Sequence, residues 1–164
     1  MAEAALQMDA TQSTNATKQF LTFTLGEEEY GVDIMMVREV KGWTETTRLP
    51  NSPEYVRGVL NLRGIIIPIF DLRARFTGTL TVPDAKNVVI ILAVGNRNIG
   101  ILADTVSDIL TVNQSEIKAA PETESRVDHR FVSGLIAVEE RMVVVLEIDK
   151  LLQPEDLEIA AHAH

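Results

Sequence analysis

The sequence predicts an all-β protein with few short helices, arranged as two small packed barrels, and three observations lead there. Its apolar segments are short, rich in Val, Ile, Phe and Leu, and broken by Gly, Asn, Asp or Glu, which is the pattern of strands and tight turns. The chain also repeats itself. Residues 20–40 lie on residues 89–109 at a constant shift of 69 without a gap, and residues 55–60 lie on 131–136 at a shift of 76. Finally, each unit of roughly 65 residues offers about five strands and is small for independent stability, so two closed or nearly closed barrels covering each other's edges suit it.

Taken in order, residues 1–17 are polar and without usable period, and read as a disordered tail. Phe20, Thr22 and Thr24 then alternate with Leu21, Phe23 and Leu25, a strand with large residues on both sides. Gly26-Glu27-Glu28-Glu29 reads as a solvated hairpin tip, because a hard cation needs several converging ligands. Tyr30, Val32 and Ile34 share one face of the next strand, and a bend at Met35-Met36 leads into the strand Val37-Arg38-Glu39-Val40. Ser52 is expected to cap a short helix starting at Pro53, with Tyr55 and Val56 turned inward.

Residues 58–71, Gly-Val-Leu-Asn-Leu-Arg-Gly-Ile-Ile-Ile-Pro-Ile-Phe-Asp, read as two strands joined by a tight reversal at Asn61-Leu62-Arg63-Gly64. Gly64 supplies positive φ, and Pro68 places the second strand at an edge or a bulge. Arg63 sits at a strand end with its guanidinium free to project, and Glu39 ends another strand of the same repeat. If hairpin and strand are neighbours, the two pair at the barrel rim. One helical turn at residues 72–76 and a linker at 77–87 follow. In the second repeat the shift is expected to grow to 78 after the hairpin, setting Asp71 on Asp149 and making the Glu139-Glu140-Arg141 turn longer. Residues 111–130 read as irregular, and a short terminal helix is expected to pack through Leu151, Leu157 and Ile159. The expected organisation is a domain over 18–154 with barrel units near 18–82 and 88–154, strand exchange between them left open, and a C-terminal helix and tail over 155–164.

The net charge of −9 argues against nucleic-acid backbones and anionic membrane surfaces as main partners. Cysteine is absent, so there is no thiol nucleophile and no Cys-based metal site. The N-terminus does not resemble a signal peptide and no apolar run approaches a membrane span, which makes a cytoplasmic protein without membrane insertion the expectation. His162 and His164 lack further ligands nearby. His129 beside Asp128 lacks the nucleophile context of a triad. Gly95-Asn96-Arg97-Asn98-Ile99-Gly100 lacks the Lys and following helix of a phosphate loop, and reads as a hairpin turn. No catalytic residue, metal or cofactor emerges, although abundant carboxylates keep a carboxylate-dependent hydrolase as an alternative.

A resemblance rests on Phe20-Leu21-x-Phe23-x-Leu25-Gly26, Glu29-Tyr30-Gly31-Val32-Asp33-Ile34, Val37-Arg38-Glu39-Val40, Gly58-Val59-Leu60-Asn61-Leu62-Arg63-Gly64 and Ile67-Pro68-Ile69-Phe70-Asp71-Leu72-Arg73. Asp104-Thr105-Val106-Ser107-Asp108-Ile109-Leu110, Phe131-Val132-Ser133-Gly134-Leu135 and Ile148-Asp149-Lys150-Leu151-Leu152 extend it, so that it spans about residues 18–154. The chain resembles the CheW family of bacterial chemotaxis coupling proteins, in its stand-alone adaptor form. The resemblance implies two SH3-like five-stranded barrels and a non-enzymatic scaffold linking the cytoplasmic tips of methyl-accepting chemoreceptors to the regulatory domain of the histidine kinase CheA. It implies recruitment to membrane receptor arrays, and a receptor groove between the barrels formed by Glu39, Val40, Arg63, Val88, Val106 and Ile109. For the kinase contact it points to Val37, Gly58 and Gly134, the two glycines also answering a backbone need. An adaptor of a different chemosensory pathway, serving motility or biofilm signalling, is the alternative within the family.

Overall fold

The computed structural model describes residues 16–50, 52–119 and 131–151. The first repeat supplies β1 (Thr17–Leu25), β2 (Glu28–Asp33), β3 (Val37–Gly42), β4 (Val56–Leu62), β5 (Ile65–Asp71) and the short helix α1 (Leu72–Thr77). The second supplies β6 (Val88–Val94), β7 (Arg97–Ala103), β8 (Thr105–Asn113), β9 (Ile117–Lys118), β10 (Val132–Val138), β11 (Arg141–Leu146) and α2 (Ile148–Leu151).

These strands form a five-stranded sheet in the order β3-β6-β7-β5-β4 and a six-stranded sheet in the order β9-β10-β11-β2-β1-β8. Each sheet therefore mixes the repeats: β1 and β2 join the later strands of the second unit, and β6 and β7 join the later strands of the first. The exchange is reciprocal and keeps register. Leu21 opposes Ile109 and Thr22 opposes Asp108 in one sheet, as Ile90 opposes Val40 and Ile91 opposes Glu39 in the other. Both ladders then slip by one residue, so that Phe23 meets Val106 and Leu92 meets Val37. The parallel pairs also correspond, Val145 with Gly31 and Ile69 with Gly100. The sheets thus interleave the two repeats.

Burial explains why the strands carry large residues on both sides. Side chains alternate between faces, and here each face has a core of its own. On β6, Val89 and Ile91 enter the interior of the five-stranded barrel with Ile67, Ile69 and Leu102. Ile90 and Leu92, one residue out of phase, enter a second cluster shared with Phe23, Tyr30, Val32 and Leu146 of the other sheet. Phe20, Ile136, Val143 and Val145 fill the six-stranded barrel. Two barrel interiors are joined by one apolar seam, and the seam is why neither repeat needs to stand alone.

Both barrels close by the same device. Thr47 forms an isolated bridge with Val59, and β9 pairs Lys118 with Leu135 at the equivalent place. A Cβ on Gly58, which has φ +131°, would lie 2.3 Å from the Thr47 carbonyl oxygen, and one on Gly134 would lie 2.6 Å from an Ile117 methyl and 2.9 Å from the Lys118 carbonyl. The crossing backbone leaves no room for a side chain, so glycine is a steric requirement at both sites.

Several expectations need correction. No helix starts at Pro53: Ser52 donates its hydroxyl to the Leu49 carbonyl, the chain turns at Glu54 and Tyr55, and Val56 already lies in β4, because its backbone is claimed by the ladder. Pro68 lies neither at an edge nor at a bulge. It is on the internal strand β5 opposite Val59, and the parallel ladder with β7 begins only at Ile69, so its missing N–H interrupts nothing on that side. The two hairpins have turns of equal length, with Leu62 opposite Ile65 and Val138 opposite Arg141. The shift stays at 76 through the strand, and Asp71 falls on Glu147: Asp71 N donates to Tyr55 O as Glu147 N donates to Phe131 O. Glu29 is no solvated tip residue, since Arg141 Nε bonds its carboxylate at 2.8 Å and its side chain is 13 % exposed. β8 carries strand structure to Asn113, and β9 follows, where an irregular segment was expected. Order begins before residue 18, because Thr17 pairs with Asn113 and the Ala16 carbonyl accepts from Gln114 N. The remainder of the N-terminal tail, residues 120–130, the packing through Leu151, Leu157 and Ile159, and the 155–164 segment lie outside the described residues.

Candidate functional site: the rim of the five-stranded barrel

At the tip of the β4–β5 hairpin, Arg63 and Gly64 have φ of 51° and 87°, the two left-handed positions that a type I′ reversal demands. Asn61 fixes the turn by accepting the Gly64 N–H on Oδ1 at 2.9 Å. This holds Arg63 on a rigid tip. Glu39 stands on β3, the opposite end of the sheet from β4, yet Arg63 Nη2 reaches its carboxylate at 2.6 Å. Only curling of the sheet into a barrel brings these ends together, and the pair sits where the curl closes.

The arginine is 71 % exposed and the glutamate 31 %. The hydrogen bond from Arg63, with its positive charge, holds the Glu39 carboxyl below the usual carboxylate range, and Glu39 in turn raises the guanidinium. Val40 follows Glu39 on β3 and takes the strand face turned to the seam, Ile65 lies two residues beyond Arg63, and both are exposed apolar side chains. A fixed charge pair beside apolar surface can recognise a protein through shape and polarity, and offers no group activated for bond making.

The other residues singled out from sequence divide into three kinds. Ile109, the repeat counterpart of Val40, is exposed on β8, the outer strand of the six-stranded sheet. Val37, Val88 and Val106 are half-buried and pack against the shared seam. Gly58 and Gly134 serve barrel closure, as described above. The structure brings Glu39 and Arg63 into contact and sets Val40 and Ile109 at matched outer positions.

Sequence reasoning missed what α1 does. Arg73 bonds Asp104, which also accepts the Gly26 N–H at 2.7 Å, while Arg75 lies 5.0 Å from the Tyr55 ring centre and 5.2 Å from that of Phe131. Phe76 stacks on Phe131 and tilts against Tyr30. The helix thus ties the two barrels beside a cleft of about 500 Å³ lined by Leu25, Tyr30, Arg73 and Phe76. Arg73 and Arg75 show no periodic signal, because their partners come from distant segments. Among the described residues no three His, Asp or Glu side chains converge as a metal site, and no helix is long and apolar enough to cross a membrane.

Comparison with known proteins agrees with this architecture. Residues 19–156 match the family model described as the CheW-like domain. The chain is 44 % identical over 140 residues to the chemotaxis protein CheW of Klebsiella aerogenes, covering 85 % of this chain and 84 % of the relative. It is 40 % identical over 151 residues to the CheW of Rhizobium meliloti, covering 92 % and 97 %. The crystal structure of the scaffolding protein TtCheW from Thermoanaerobacter tengcongensis superposes with a TM-score of 0.78 at 26 % identity, covering 95 % of this chain and 96 % of that one. With its paired barrels and its match over most of its length, the chain belongs to the CheW-like family of chemotaxis proteins.

Proposed function

We propose that this chemotaxis adaptor couples the cytoplasmic tips of methyl-accepting chemoreceptors to the regulatory domain of the histidine kinase CheA, and thereby controls the kinase within membrane-associated arrays. The exposed Glu39–Arg63 pair beside Val40 is the observation that carries this reading. Glu39, Val40, Arg63, Val88, Val106 and Ile109 are the residues for the receptor tip. Val37 and the closures at Gly58 and Gly134 belong to the segments for the kinase, where the glycines act by letting two backbones cross.

The work done is mechanical, with no catalytic step and no cofactor. A scaffold shifts a kinase between states only if its contacts differ in free energy between the receptor's two conformations, since equal binding to both shifts nothing. The shared seam makes the two barrels one body, so a change at one face reorients the other. Weak single contacts suffice where many copies are held in a lattice.

A three-component reconstitution of receptor signalling fragment, kinase and this protein tests the reading. Kinase autophosphorylation should depend on the protein, and Arg63→Glu should reduce receptor capture by about tenfold or more, with recovery when Glu39→Lys is added. Autophosphorylation indifferent to the protein, with receptor capture indifferent to Arg63→Glu, would overturn it.

A further inference from the structure

The two repeat shifts carry the Glu39–Arg63 pair onto Asp108 and Glu139. The correspondence is structural: Asp108 opposes Thr22 as Glu39 opposes Ile91, in ladders with the same slip, and the two hairpins share one register. Glu139 also repeats the left-handed backbone of Arg63, with φ of 55° against 51°. Where the first rim places a guanidinium, the second places a carboxylate, and Glu140 follows it in the turn. The Asp108 carboxylate accepts the N–H of its own neighbour Ile109 at 2.7 Å. Among the described residues no Lys, Arg or His is ion-paired with Asp108, Glu139 or Glu140.

Two further features make this an unfinished surface and not only an acidic one. Ile109, beside Asp108, is 51 % exposed. β8 is a nine-residue outer strand whose far edge has no ladder partner among the described residues, and such an edge is a template for an added strand. We propose that the rim of the six-stranded barrel docks an extended segment of a partner protein that carries an arginine, whose guanidinium takes the place Arg63 holds in the other barrel. Arginine suits the site because its planar fork can bond two carboxylates at once, while apolar residues flanking it in the extended segment take the opposite face and cover Ile109, which points away from Asp108 along the strand. The first rim completes its ion pair from within; the second receives its cation in trans.

This inference rests on the adaptor reading for its candidate partners, and the experiment separates the two. Capture of the receptor signalling fragment and of the kinase regulatory domain is measured singly against wild type, Asp108→Lys and Glu139→Arg across a salt series. Glu139→Arg is the sharper variant, since it recreates the internal pair of the first barrel and leaves Asp108 already satisfied. Both variants should weaken one of the two partners by about tenfold at low salt and flatten its salt dependence. The conservative variant Glu139→Gln should fall between them and wild type. If wild type captures both partners and all variants do so within twofold, the inference fails while the adaptor reading stands. Loss of self-association of this chain, with both partners unaffected, would overturn it in favour of a second copy as the occupant. If wild type captures neither partner, the adaptor reading falls, and this inference falls with it.

Discussion

The two barrel rims share a backbone and differ in charge. Strand register, ladder slip, closing glycine and a left-handed first turn residue recur in both. The aligned cations do not recur: Arg38, Lys41, Arg57 and Arg63 have Ser107, Leu110, Ser133 and Glu139 as counterparts. Core volume and backbone crossing are constraints that a duplicated fold must satisfy twice, since each violation costs stability. An exposed charge costs little to change, so the same backbone tolerates opposite charges at its two rims.

The strongest test of the shared design lies in the seam. Phe23 and Leu92 are repeat counterparts, both fully buried in the common cluster. Phe23→Ala should cost about 3–5 kcal/mol and Leu92→Ala about 2–5 kcal/mol. Trp43, the only tryptophan, packs in the five-stranded barrel. Its fluorescence in urea should move with far-ultraviolet dichroism as one transition even for Phe23→Ala, which lies in the other sheet. Two separated transitions would mean that the barrels fold independently.

Next in size is a contrast between the closures. Gly58→Ala meets a backbone oxygen at a φ that alanine resists, and should cost about 2–4 kcal/mol. Gly134→Ala meets a movable Ile117 methyl first, and should cost less, about 1–3 kcal/mol. Equal losses in denaturant midpoints would show that the Lys118 backbone alone sets the limit at Gly134.

The smallest expected effect is a pH dependence confined to one rim. The Glu39 carboxyl is held low by Arg63, so the ion pair contributes fully above the usual carboxylate range and is lost as pH falls through the lowered value. Receptor capture should weaken in that acidic window for wild type and lose this component in Glu39→Gln. An acid response identical in the two proteins would place the titrating group elsewhere.

Much of this was legible in the chain. The glycine and apolar matches at constant shift located the repeats, and Glu39 with Arg63 stood out as charges at strand ends. The equal hairpins were misread because Asp71 and Asp149 share an identity, whereas the hydrogen bond to the residue before each strand, Tyr55 or Phe131, is what defines the equivalence. Pro68 misled for a related reason: a missing donor matters only where a neighbour asks for it, and that depends on where the β7 ladder starts. The ties made by Arg73 and Arg75 had no signal, since a cation's partner across the fold leaves no trace in local spacing.

By itself, the sequence determined the strands, their buried faces, the turns and the doubling, because alternation, β-branched content and glycine act over a few residues. Only the tertiary structure decided which strands pair. A period of two tells each side chain its face and not its neighbour, so the exchange of β1 and β2 against β6 and β7 had to be settled by burial of the common seam. The rim followed from that choice, since Glu39 and Arg63 stand at opposite ends of one sheet until closure of the barrel makes them touch.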